Sequence, residues 1–176
     1  MEAARPARRD ELPRLAELAD AAIAELTATK GGAMWSRREA RPEPVAESLA
    51  AALDADDQLV LVGTVDDVVI GYAAVRVETL RSGERLGVVD DIYVEPGARA
   101  VGVGEAMMDA VLDWCRHQGC IGVDSLALPG NRETKNFFES FGLVARAIIV
   151  HRSLRPPEPA AAEPTPIDPA TEMVDQ

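Results

Sequence analysis

The sequence predicts an α/β domain in which a mixed, mostly antiparallel central sheet is flanked by helices. Three observations lead there. Residues 10–54 repeat apolar residues at helical spacing in two segments. Residues 58–94 hold three β-rich runs separated by short turns, the pattern of consecutive hairpins. Residues 103–152 then alternate helical and strand patterns after a glycine-rich turn. At 176 residues, 47% of them apolar, the chain can bury one core of ordinary size and has little room for a second domain.

Asp10 precedes "ELPRLAELADAAIAEL", where Leu12, Leu15, Leu18, Ala22, Ile23 and Leu26 define one helical face and Pro13 is tolerable only in the first turn. "KGGAMWSRREARPEP" breaks that pattern, and "VAESLAAALDA" from Val45 is a second, shorter helix. "QLVLVGTV" and "VVIGYAAVRVETL" flank the turn at Asp66 and Asp67 as a hairpin, with Gly71 a candidate bulge. A second turn at Ser82 and Gly83 leads into "RLGVVDDIYV". A helix over 103–117 follows the glycine turn. Then come the strand "IGVDSLAL", a turn at Pro129 and Gly130, the helix "NRETKNFFESF" and a last strand "ARAIIVHR". The domain is expected over 1–152. From Arg155 the chain carries six of its twelve prolines and no aromatic residue, so residues 153–176 are expected to be a disordered or polyproline-like tail.

Composition excludes several classes. A formal net charge of −12, with 18 scattered Lys and Arg, argues against a nucleic-acid binder; an acidic surface would favour a cationic partner, while for an exposed pair such as Asp66 and Asp67 the simpler reading is solubility. No apolar run is long enough to span a bilayer, and charges interrupt the N-terminus before any signal-peptide core forms, so a soluble, cytoplasmic protein without membrane partners is expected. Cys115 and Cys120 fit neither a C-x-x-C pair nor a zinc cluster and read as free thiols; no metal site is expected.

The glycine turn, "VEPGARAVGVGEAMM", follows a strand and opens a helix, where free backbone N–H groups and the positive end of the helix dipole attract an anion. A Walker loop would require Lys and Ser or Thr after Gly102, and the chain has Val103 and Gly104. A dinucleotide fingerprint starting at Gly102 and Gly104 meets Met107 where the third glycine belongs, after hairpins rather than a βαβ unit. Arg99-x-x-Gly102-x-Gly104 instead resembles the acetyl-coenzyme A loop of the GNAT acetyltransferase superfamily. "NRETKNFFESFGL" is similar to that family's Asn-x-x-Ala-x-x-Phe-Tyr-x-x-x-Gly-Phe element, matching at Asn131, Phe137 and Gly142 and departing at Thr134, Phe138 and Leu143. The resemblance runs from about Arg9 to about Arg152.

The resemblance implies acetyl transfer from acetyl-coenzyme A to an amine acceptor, by direct attack in a ternary complex. The acceptor is a small cationic amine, or a protein lysine or N-terminus. It also implies a pyrophosphate held by Arg99, Ala100, Val101, Gly102, Val103, Gly104 and Glu105, with Val101 standing where relatives often carry a basic residue. Ile92, Tyr93 and Val94 would align the pantetheine arm on a strand splayed from its neighbour. Asn131, Lys135 and Phe138 would approach the cofactor from the other side, Asn131 being equally suited to cap its helix. Asp90 and Asp91 are the candidate catalytic carboxylates, and strand alternation sends adjacent side chains to opposite faces, so only one is expected to address a given side. Phe138 replaces the tyrosine that protonates the departing thiolate in many relatives; Tyr93 or Tyr72 could substitute from a strand, but both read more simply as partly buried β residues with a satisfied hydroxyl. Trp35, beside Met34, is either an acceptor-pocket wall or a hydrophobic plug. Members of the family often pair, so a homodimer is the implied assembly. The rival reading is a non-catalytic acyl-coenzyme A binding or sensing module.

Overall fold

The computed structural model describes residues 1–155. The chain divides into a compact unit, Met1–Val144, and a second unit, Ala145–Gln176. The expected tail, 153–176, lies outside the described residues from residue 156 onward.

In the first unit the order is β1 (Glu2–Pro6), α1 (Leu12–Thr27), α2 (Gly32–Arg38), α3 (Val45–Asp54), β2 (Gln58–Val65), β3 (Val68–Thr79), β4 (Arg85–Val94), α4 (Val103–His117), β5 (Cys120–Ser125) and α5 (Arg132–Ser140). The five strands form one sheet in chain order. The first four are antiparallel, and β5 joins β4 in parallel. A mixed, mostly antiparallel sheet flanked by helices is what the sequence predicts.

Alternation along the strands builds two cores. Tyr72 and Ala74 of β3 pack with Leu15, Leu18 and Leu49 of α1 and α3 on one face. Ala73 and Val75 pack with Val103, Met107 and Val111 of α4 on the other. Leu15, Leu18 and Leu49 are at most 1% exposed, and each such burial stabilises the fold by roughly 1.5–3 kcal/mol. Helix α4 lies unusually close to the sheet because glycines face it. A Cβ added at Gly63 would sit 2.4 Å from Val103, and one at Gly87 would sit 2.5 Å from Cys115 Sγ. This close seat fixes where the first turn of α4 points.

Three elements differ from expectation. Strand β1 has no apolar alternation to announce it, and forms because its backbone completes the free edge of β2, with Ala4 opposite Gly63. Arg5 then clamps it to Glu11, just before α1, by two hydrogen bonds of 3.0 and 2.6 Å. Helix α2 occupies part of the segment read as a break, its buried face being Trp35. The expected final strand over 145–152 is absent: the β-branched pattern is there, but no ladder pairs with it among the described residues. In the second unit, residues 145–155 are exposed and belong to no helix or strand.

Candidate active site

The middle of β4 sets the geometry. Ala74 pairs with Asp91 and the next residue of β3, Val75, with Val89, so Asp90 is an extra residue, a β-bulge. A bulge resets the alternation. Val89 and Val94, an odd number of residues apart, both join the α4 core. The expectation that Asp90 and Asp91 face opposite sides is therefore corrected. Asp90 meets Arg76, which lies on the same face of β3 as Ala74, and Asp91 meets Arg41, just before α3. Both carboxylates serve the face that α1 and α3 cover.

Their surroundings differ. Asp91 is held by two guanidinium nitrogens of Arg41, Nε at 2.8 Å and Nη2 closer still, with side-chain exposures of 11% and 7%. Arg41 Nη1 also donates to Ser48. The Asp90 side chain is 34% exposed and, among the described residues, has one hydrogen bond, 3.2 Å from Arg76 Nε. Partial burial pushes its carboxyl above the usual range, with Arg76 opposing and Asp91 reinforcing the shift. Beside this pair the Tyr72 hydroxyl is buried and has no hydrogen-bond partner among the described residues, and burial raises its pKa far above that of a free phenol.

Beyond the bulge, β4 loses one neighbour. The β4–β5 ladder runs from Arg85 to Val89, whose partner is Ser125, the last residue of β5. On the other side β4 stays paired with β3 through Val94. Pairs in an antiparallel ladder alternate between hydrogen-bonded and not, and the Glu95 N–H donates to Ile70 O at 2.9 Å. By that parity Tyr93 bonds to β3, while the main-chain groups of Ile92 and Val94 turn into the gap left by β5. The Val94 carbonyl confirms the direction, since it accepts from Arg99 Nε at 3.0 Å.

The gap leads to the glycine turn. Gly102, at φ +88°, caps α4 in a left-handed conformation natural to glycine, and Ala100 takes φ +76°. The first α4 hydrogen bond from this turn is that of Ala106 to Gly102 O. Among the described residues, the N–H groups of Ala100, Val101, Gly102, Val103, Gly104 and Glu105 donate to nothing. Six free donors at the positive end of a 15-residue helix can take a diphosphate through the main chain alone.

Arg99, expected to add charge there, is engaged elsewhere. Its Nη2 pairs with Glu25 of α1 at 2.7 Å, and its guanidinium lies 5.4 Å from the Tyr93 ring centre. Tyr93 is partly buried, which raises its phenol pKa, and Glu25 and Arg99 act on it in opposite senses. Asn131 uses its side chain to cap α5, accepting from the Thr134 N–H at 3.1 Å. Lys135 pairs with Glu139 at 2.6 Å, and Phe138 is 6% exposed. The aromatic that reaches the glycine turn is its neighbour Phe137, 3.4 Å from where a Gly104 Cβ would stand. Phe137 and Glu25 are the residues sequence reasoning missed. Phe137 was visible as a motif match, whereas Glu25, 74 residues from Arg99, carried no signal.

Two loops meet near this end of the sheet. A Cβ at Gly31, between α1 and α2, would lie 3.5 Å from Pro129, in the loop between β5 and α5. Trp35 is 8% exposed and is the buried side chain of α2, as the plug reading expects. A cleft of about 410 Å³ opens beside Arg41, with Glu43, Glu47, Ser48 and Gln58 in its lining. Cys115 and Cys120 are free thiols, and burial pushes Cys115 up to about 12. Among the described residues no helix is long and apolar enough to cross a membrane, and no cluster of His, Cys, Asp and Glu could hold a metal ion.

Among solved structures the chain is similar to a transcriptional regulator from Bacillus halodurans C-125, at 13% identity and a TM-score of 0.66, covering 87% of this chain and 99% of that one. It is equally similar to AAC(6')-Iy in complex with the bisubstrate analogue CoA-S-monomethyl-acetylneamine, at 18% identity and a TM-score of 0.66, covering 88% and 99%. A glucosamine-6-phosphate N-acetyltransferase from Arabidopsis thaliana follows at 17% identity and a TM-score of 0.63, covering 88% and 99%. At these identities the likeness is one of fold. No curated protein matches the chain. The model of the acetyltransferase (GNAT) family matches residues 21–143, from the last part of α1 through α5 and including the bulged strand and the glycine turn, and the chain belongs to that family.

Proposed function

We propose that this protein transfers an acetyl group from acetyl-coenzyme A to a primary amine, either a small cationic amine or a protein lysine or N-terminus. The observation that carries this reading is the row of six free N–H groups at the start of α4, continuous with the edge of β4 at Ile92 and Val94 that β5 does not ladder. Coenzyme A fits that row, because a diphosphate needs donors and six main-chain N–H groups at a helix start supply them. When bound it supplies a thioester and a thiolate leaving group.

The chain's own groups do the rest. Amides of residues 100–105 hold the diphosphate, and the ladder-free edge at Ile92 and Val94 aligns the pantetheine amides and polarises the thioester carbonyl. An N–H aimed at a developing oxyanion contributes about 2.7–4 kcal/mol. An amine acceptor arrives protonated, and Asp90 is the group suited to receive its proton, directly or through water. It is partly exposed, it has a raised pKa, and its single cationic partner is loose. Asp91, saturated by Arg41, instead fixes the bulge. Phe138 supplies no acid, and Tyr72 is sealed in the core, so Tyr93 is the one phenol near the gap. A free thiol has a pKa of about 8.5, so thiolate leaves tolerably without help. The net charge of −12, with Glu43 and Glu47 at the cleft, favours a cationic acceptor. We place the reaction in the cytoplasm, where Cys115 and Cys120 stay reduced.

The second reading, a non-catalytic acyl-coenzyme A sensor, is favoured by the phenyl ring at 138. One assay separates them: free-thiol release from acetyl-coenzyme A over a panel of polyamines, aminoglycosides and lysine peptides. Amine-dependent release that scales with protein concentration supports the enzyme. Stabilisation by coenzyme A with no release above background supports the sensor.

A further inference from the structure

Arg99 joins the two faces of the sheet. It belongs to the turn that leads into α4, yet its guanidinium lies 5.4 Å from the ring centre of Tyr93, which packs with the core beneath α1 and α3, and its Nη2 pairs with Glu25 of α1 at 2.7 Å. Asp90 and Asp91 serve that same face. Arg99 Nε also donates to the Val94 carbonyl at 3.0 Å. That carbonyl lies on the edge of β4 that β5 leaves unladdered, where the proposed pantetheine arm would bond. One acceptor therefore has two claimants.

Charge and exposure decide between them. The side chains of Arg99 and Glu25 are 38% and 39% exposed, and exposed ion pairs are weak. A diphosphate carries more charge than a carboxylate, and the six N–H groups suited to it begin at Ala100, the next residue. A guanidinium drawn to it leaves Val94 and Glu25 together, because it holds both. We propose that Glu25 is an acceptor-binding residue, masked by Arg99 in the free protein and bared by bound coenzyme A, that takes a second ammonium group of a polyamine acceptor. The inference rests on the acetyl-transfer reading above. There Asp90 receives the proton of the attacking amine, and the strand carries Tyr93 roughly 10 Å beyond Asp90. Two carboxylates so placed on one face suit an acceptor whose amines are several bonds apart.

Calorimetry on the full chain, with coenzyme A, spermidine and butylamine as probes, tests this. Coenzyme A should tighten spermidine binding by at least about fivefold and leave butylamine, which has no second charge, nearly unchanged. Glu25→Gln should abolish that coupling, and should bind coenzyme A about two- to fivefold more tightly than wild type because Arg99 is no longer held. The gain should shrink in an Arg99→Gln background, which separates release of the guanidinium from simple loss of a negative charge. In the wild type, the Arg99 Nε–H magnetic resonance signal should move on adding coenzyme A, a readout independent of any variant. Spermidine affinity that is the same with and without coenzyme A would overturn the proposal. So would coupling that survives Glu25→Gln, equal coupling to butylamine, or an unmoved Arg99 signal. A wild-type chain that fails to bind coenzyme A would defeat the acetyl-transfer reading itself, whereas coenzyme A binding that Glu25→Gln leaves unaltered would defeat this inference alone.

Discussion

The two halves of β4 share one strand and lead different lives. From Arg85 to Val89 the strand is laddered on both edges, and Gly87 admits Cys115 of α4 so tightly that no Cβ fits. From Asp91 to Val94 it is laddered on one edge only, and Ile92 and Val94 offer main-chain groups to the gap. Asp90, the bulge, is the joint. The proposed coenzyme A site rests on that difference: past the bulge the sheet withholds a ladder. Unpaired backbone N–H and C=O groups are costly when buried and dry, so such an edge persists where a ligand or water completes it.

The neighbouring aspartates divide on the same line, and separating them is the sharpest way to test the comparison. Arg41→Leu leaves Asp91 buried without its cation, and should cost about 3–5 kcal/mol in the denaturant midpoint. Asp90→Asn removes only a loose, partly exposed pair and should change stability by less than about 1 kcal/mol, while turnover falls about 10²- to 10⁴-fold. The comparison breaks if Asp90→Asn unfolds the protein, or if Arg41→Leu is as stable as wild type.

Much of this was legible in the sequence. Helical spacing located α1 and α3, the hairpin turns located β2, β3 and β4, and the spacing of Arg99, Gly102 and Gly104 located the start of α4. The bulge was not legible, because nothing in "VVDDIYV" marks which residue is extra. That register is set by β3, and with it the face each aspartate serves. Arg99 was found as a motif residue, but its engagement with Glu25 depends on where α1 lies across the sheet, which local patterns do not encode. Strand β1, five residues of mixed character, exists only because β2 has an edge to fill.

That opposite edge gives a second test, of smaller size. Strand β1 is the sheet's other edge strand, and Arg5 clamps it to Glu11 at the start of α1. Arg5 first, then the Arg8 N–H, hold the Glu11 carboxyl at about 2, below its ordinary 4.5, with the residue 9% exposed. A carboxyl depressed on folding stabilises the native state above its unfolded pKa, and that stability drains as pH falls through the folded one. On the order of 3 kcal/mol should therefore be present above about pH 4.5 and lost towards pH 2. Denaturant titrations at several pH values should show this slope in wild type and a flatter one in Glu11→Gln. Equal slopes would mean that the clamp is no more than a surface contact.

Residue-resolved amide hydrogen exchange with and without coenzyme A reads directly whether the ladder-free half of β4 and the first turn of α4 form the coenzyme A site. Exchange at Ile92, Val94 and residues 100–105 should slow on adding coenzyme A, while Val88 and Val89, already laddered, should change little. Unchanged exchange at Ile92, Val94 and the glycine turn, or equal slowing along the whole of β4, would contradict it.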